Sequence, residues 1–188
     1  KKPWTIITYM FVHKDFSHLL FNMVLFHFGA KLFLQYFNGK QLISTYILGG
    51  ISGGLIYIIA FNSFPVFSNI INKAVLIGAS ASGLAIFIAI ATYSPNTNIS
   101  FSERTKWLIA FFGIILGFAL GKGIFDVEIF QIAITGWIMG YILHQYFKNV
   151  RIKHIAIALV VLAFLSISPE NPGGHISHLG GAIFGYVY

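Results

Sequence analysis

The chain of 188 residues contains no cysteine. That excludes a thiol nucleophile, thiolate metal ligands and disulfide staples. Charge is almost as scarce, with 12 Lys and Arg and 5 Asp and Glu amounting to 9% of residues, against roughly 25% in an ordinary soluble domain. So few charged side chains cannot solvate the surface of a soluble globule. What is present is apolar: 57% hydrophobic residues, 20 Phe and 19 Gly, with a mean hydropathy of +0.80. The charges fall at intervals, leaving none between Lys40 and Lys73, Lys73 and Glu103, Lys106 and Lys122, Glu128 and Lys148, or Lys153 and Glu170. Each gap is long enough, or nearly so, for the about 20 apolar residues of a membrane crossing. The composition therefore assigns an integral, multi-pass membrane protein whose first partner is the lipid bilayer. The net charge of +7 follows from the basic bias of cytoplasmic loops. No basic run interleaved with aromatics points to nucleic acid, so none is expected as a partner.

Breakers divide the apolar sequence at Asn38-Gly39, at 62–72 with Pro65, at Ser94-Pro95-Asn96, at Gly121 to Gly123 and at 168–174 with two prolines. The reading is an all-α fold, a polytopic membrane helical bundle of about seven segments at 16–37, 41–61, 79–94, 107–121, 128–147, 154–168 and 175–188. A single membrane domain spans 1–188, with no soluble domain, low-complexity tract or repeat. The last apolar run, 14 residues from His175, makes about 21 Å of helix, short of a roughly 30 Å hydrocarbon core. Together with the start at Lys1, this leads us to expect a fragment of a longer chain. Lys31 with Lys40, Arg104 with Lys106, and Lys148, Arg151 and Lys153 mark three alternate loops as cytoplasmic. The stretches 1–15, 62–78, 122–127 and 168–174 then lie on the outer side. Glycines repeat at i+4 in Gly49/Gly53, Gly50/Gly54, Gly113/Gly117/Gly121, Gly136/Gly140 and Gly181/Gly185, the spacing of closely packed helices.

Polar residues in lipid are expensive and are functional candidates by default. His18 and Asn22, at i and i+4, share one helix face, with His13 at or before the helix start. They suit either an oxyanion-binding wall or an interhelical polar clamp. In Gly78-Ala79-Ser80-Ala81-Ser82-Gly83 a serine follows a glycine where a loop feeds a helix, whose free N–H groups and dipole favour an anion. Ser80 is equally read there as an N-cap and Ser82 as a packing residue. His175 and His178 lie at i and i+3, and Gly181 and Gly185 share the face of His178. A helix so built can approach a neighbour closely enough for a serine–histidine hydrogen bond. By the loop assignment all three clusters lie near the outer ends of their helices. Four imidazoles, His13, His18, His175 and His178, also admit a metal-binding protein or transporter, although no intramembrane carboxylate or thiolate accompanies them.

The stretches Pro3-Trp4-Thr5, His-Lys-Asp-Phe-Ser-His-Leu-Leu-Phe-Asn-Met at 13–23, Gly78-Ala79-Ser80, and Ser177-His178-Leu179-Gly180-Gly181 with Gly185 together resemble the rhomboid intramembrane serine proteases. The likeness covers about 3–98 and 149–188. It implies a dyad with Ser80 as nucleophile and His178 as base, and an oxyanion hole made by His18, Asn22 and the backbone N–H of Ser80. His13, Gly78, Gly181 and Gly185 are its supporting residues. It implies no acidic third member, no cofactor and no metal, and Asp15, Asp126, Glu128 and Glu170 all sit in or next to loops. The implied substrates are single-pass membrane proteins cut in or near their transmembrane segments. The implied setting is a bacterial inner membrane with the site opening outward, the 62–78 and 168–174 loops retaining water and capping the site.

Three features depart from the family pattern. The helix expected before Pro3-Trp4 is missing from this sequence. Residues 99–148 read as an inserted transmembrane hairpin, with the segment 107–121 alternatively lying in the interface. Leu84 stands four residues after Ser80, where the family has an aromatic residue. Choosing Ser82 instead would place Ile86 there, and only Ser80 has a glycine two residues before it. An inactive relative that binds membrane clients is a third reading.

Overall fold

The computed structural model describes residues 2–67, 74–99, 150–165 and 172–188. The chain forms two compact units, one of Lys1–Asn96 with Ile152–Tyr188 and one of Thr97–Arg151. In the second, Asn98 and Arg151 form an antiparallel bridge, and the Ile99 N–H donates to the Val150 carbonyl at 2.9 Å. The hairpin expected over 99–148 lies, apart from Ile99, outside the described residues.

The first unit is an all-α bundle. Its helices are α1 (Thr5–Thr8), α2 (Phe16–Phe33), α3 (Gly39–Ser63), α4 (Ser80–Tyr93), α5 (Ile152–Leu165) and α6 (Pro172–Val187). The described residues thus hold six helices rather than seven. Five coincide with expected segments, while 107–121 and 128–147 fall outside the described residues. The sixth, α1, with the 3-10 turn Tyr9–Phe11 behind it, corrects the reading of 1–15 as an outer stretch alone, because Tyr9 and Met10 are buried in the bundle. Helix α6 begins three residues earlier than expected, with Pro172 in its first turn, where a missing N–H costs nothing. Helix α2 stops at Phe33 because its next turn tightens, with Gln35 and Tyr36 N–H groups bonding to carbonyls three residues back. The chain then enters α3 through a capping box, in which Asn38 Oδ1 accepts from the Gln41 N–H and Gln41 Oε1 accepts from the Asn38 N–H.

Helix α3 is apolar on both faces. Ile43, Leu48, Leu55, Ile58 and Ile59 are exposed, while Gly49, Gly50, Gly53 and Gly54 are buried. A helix with its large apolar side chains outward and glycines inward is built for a nonpolar surround. Among the described residues it is the one helix long and apolar enough to cross a membrane unaided, and His18–Phe33, Ser80–Tyr93 and Ile152–Val161 are apolar but shorter.

Contacts at the glycines give the packing directions. Gly49 meets Ala85 and Gly53 meets Ala81, so α3 and α4 are antiparallel. Gly181 lies on the Ala81 carbonyl and Gly185 on that of Ala85, so α4 and α6 are parallel. Gly173 meets Tyr57 and Gly180 meets Gly53, which sets α6 antiparallel to α3. Phe33 at the end of α2, Phe37 beyond it, Tyr93 at the end of α4 and Tyr188 beyond α6 share ring contacts, with Phe37 to Tyr93 at 5.0 Å and Phe37 to Tyr188 at 6.0 Å. Helices α2, α4 and α6 therefore end together on this aromatic cluster and begin together at the opposite end, where the sequence places His18, Ser80 and His178.

Candidate active site

The start of α2 orients His18. Asp15 caps the helix by accepting from the His18 N–H at 2.7 Å, and the Lys14 N–H donates to His18 Nδ1 at 3.3 Å. A nitrogen that accepts from a backbone N–H carries no proton, so the neutral ring holds its hydrogen on Nε2. His13 packs on this ring edge to face, centroids 5.1 Å apart. One turn on, the buried Asn22 uses one of its amide hydrogens on the His18 carbonyl at 2.8 Å. Its second N–H is left to face the chain opposite.

That chain is Gly78. Its φ of +107° is a conformation L side chains rarely adopt. A Cβ there would stand 2.8 Å from His18 Nε2 and 3.8 Å from Asn22 Nδ2. Glycine thus lets the backbone pass directly under both donors. The Gly78 N–H donates to the Tyr9 carbonyl at 3.0 Å, and the Tyr9 hydroxyl donates to the Gly50 carbonyl at 2.6 Å. The approach to Gly78 is pinned four residues earlier as well, where the Tyr57 hydroxyl donates to the Ala74 carbonyl at 3.1 Å.

Helix α4 starts at Ser80, with Ala79 at the N-cap and no side-chain cap. Ser80 is not an N-cap, contrary to one of the two readings open from sequence. The first intrahelical bond is made by Gly83, to Ala79 at 2.9 Å, so the N–H groups of Ser80, Ala81 and Ser82 precede it at the positive end of the helix. Ser80 Oγ lies 2.6 Å from His178 Nε2. With the hydroxyl donating, His178 carries its own proton on Nδ1. The two helices come this close because a methyl at Gly181 would collide with the Ala81 carbonyl, and one at Gly185 with that of Ala85. Ser82 points the other way, fully buried, with its Oγ 3.2 Å from Met10 Sδ.

Ser80 and His178 open on a cavity of about 170 Å³, lined also by Leu25, Leu84, Leu159, Ala163 and His175. A serine hydroxyl bonded to a neutral imidazole can lose its proton to that ring as the oxygen attacks. Donors on His18, on Asn22 and at the start of α4 surround the turn beside it, where charge on a substrate oxygen would develop. His18, Asn22, Gly78, Ser80, His178, Gly181 and Gly185 are thus brought together, with His13 behind His18. Among the described residues no three or more His, Asp or Glu side chains are placed to hold a metal ion. Sequence reasoning missed Tyr9 and Met10, although the charge-free run from Pro3 to His13 carried the signal that this stretch seeks a nonpolar place.

A family model, the rhomboid domain, matches residues 1–147. The chain belongs to the rhomboid family. Rhomboids are membrane-embedded proteins, so this one is an integral membrane protein, and they are generally intramembrane serine proteases, with inactive members among them. The match takes in His13, His18, Asn22, Gly78 and Ser80, and His178, Gly181 and Gly185 follow it in the chain. No curated protein and no solved structure matches this rhomboid chain.

Proposed function

We propose that this rhomboid is an active intramembrane serine endopeptidase working through a Ser80–His178 dyad. The observation that carries the reading is the 2.6 Å separation of Ser80 Oγ and His178 Nε2 at the wall of a cavity. As Ser80 attacks a substrate carbonyl, His178 takes its proton and then delivers it to the leaving amine. The oxyanion receives hydrogen bonds from His18 Nε2–H, the free Asn22 N–H and the Ser80 backbone N–H. Water, activated by the same imidazole, releases the acyl group. His13 steadies the ring of His18, Gly78 admits both donors, and Gly181 and Gly185 let α6 carry His178 to Ser80.

The substrates are transmembrane proteins, cleaved in or near the membrane segment. A helix hides its carbonyls in its own hydrogen bonds, so the segment must unwind first, and sites of Gly, Ala or Ser near helix breakers are cut first. The setting we propose is a bacterial inner membrane with the site opening outward, on the basis of the loop charges.

A fluorophosphonate probe should label the full chain, and Ser80→Ala should abolish both labelling and turnover of a single-pass substrate, whereas Ser82→Ala keeps labelling. Labelling that survives Ser80→Ala and vanishes in Ser82→Ala would mean the wrong serine. Absence of turnover by the wild-type chain beside intact client binding would favour an inactive relative.

A further inference from the structure

The cavity beside Ser80 holds a second imidazole that the dyad does not use. His175 stands one turn before His178 on α6 and lines the same cavity as Ser80, Leu84 and His178. The two rings meet edge to face, with centroids 5.5 Å apart and planes at 84°. His175 Nδ1 is buried and makes no hydrogen bond among the described residues, so no hydrogen bond at that atom explains where the ring sits.

His178 needs something to hold it. The hydrogen bond to Ser80 fixes one ring atom, but the second side-chain torsion of histidine has a broad, shallow profile, and one bond leaves the ring plane free to turn. A carboxylate on Nδ1 is the usual remedy. Asp15 is the one carboxylate among the described residues, and it is engaged at the His18 N–H. Leu84 of α4, which lines the same cavity, offers an aliphatic chain and no ring. Among the described residues the ring contact on His178 is the edge-to-face one from His175, a geometry that aromatic pairs prefer.

We propose that His175 is a positioning residue that holds the plane of the His178 imidazole for Ser80, in place of an acidic partner. The ring does this, not its nitrogens. The catalytic consequence rests on the protease reading above, and the hold itself does not.

The test compares His175→Ala, His175→Gln and His175→Phe in the full chain, in bilayers. For the hold, the readout is the order of the His178 ring, from side-chain relaxation in isotope-labelled protein, which needs no turnover. The ring should loosen in His175→Ala and His175→Gln and stay as ordered as wild type in His175→Phe. For catalysis, kcat should fall roughly tenfold in Ala and Gln with KM unchanged, as expected for losing an aromatic contact that biases a rotamer, and stay near wild type in Phe. Adding Leu84→Tyr to His175→Ala, which restores a ring from α4, should recover part of kcat. Should His175→Ala fail to fold, Gln against Phe decides alone. The proposal is overturned if Gln keeps the wild-type order of the His178 ring, or if Phe is as impaired as Gln, since then a nitrogen matters. An inactive wild type whose His178 ring loosens in Gln and stays ordered in Phe would sink the protease reading and uphold the hold.

Discussion

One methyl group at position 78 tests how the donors and the nucleophile helix are joined. Gly78→Ala forces an L side chain into φ +107°, at about 1–2 kcal/mol, and pushes its Cβ to 2.8 Å from His18 Nε2. The protein should fold with a lower unfolding midpoint and lose about 10²-fold in kcat, the scale of one misplaced oxyanion donor, in a turnover assay. Asn22→Ala should lose a similar factor by deleting a donor outright, with KM little changed. Tyr9→Phe behaves differently. It removes the 2.6 Å bond to the Gly50 carbonyl, worth about 1 kcal/mol net, so thermal unfolding should shift down by about 2–4 °C while turnover largely survives. At this scale the sequence was informative where a residue was chemically out of place. His18, Asn22, Ser80 and His178 are polar groups in an apolar chain. Tyr9 and Met10 escaped notice because apolar residues in such a chain look alike until one sees which of them are buried.

Between elements, the α4–α6 contact sets whether the dyad exists. Gly181→Leu places a side chain against the Ala81 carbonyl and should drive α6 off α4, abolishing fluorophosphonate labelling even if the helices still form by circular dichroism. Gly39→Ala is the contrasting case, since nothing lies within 4 Å of a Cβ there, and it should leave labelling and stability unchanged or slightly improved. The sequence already separates the two, with Gly39 in a breaker and Gly181 four residues before Gly185. The i+4 spacing did report close packing, and Gly49, Gly53, Gly181 and Gly185 pack as that spacing implies. The helix ends were less legible. A tightened turn after Phe33 and a helix start at Pro172 are decided by neighbouring backbone, which periodicity does not carry.

For the molecule as a whole, depth is the governing property. Ala81 lies level with Gly53, and α3 runs on from there to Ser63, about 15 Å further at 1.5 Å per residue. Ser80 is therefore sunk well below the end of the longest helix, so the proposed hydrolysis requires a water path past the Ala74 to Gly78 segment. The absence of native cysteine makes this measurable, because Ser80→Cys is a single-thiol protein. A small membrane-impermeant thiol reagent should modify it from the side on which α3 ends at Ser63, and not from the side of Lys31 and Lys40; equal modification from both sides would count against the orientation. Scarcity of charge settled from sequence alone that the chain lives in a membrane, because unsolvated apolar surface has nowhere else to go. The sparse polar residues nominated the site for the same reason, since each is too costly in lipid to be idle. Only the tertiary structure decided that Ser80 and not Ser82 meets His178. Two serines on one helix are distinguished by what packs against each face, here α6 on one side and Met10 on the other, and those neighbours come from distant parts of the chain.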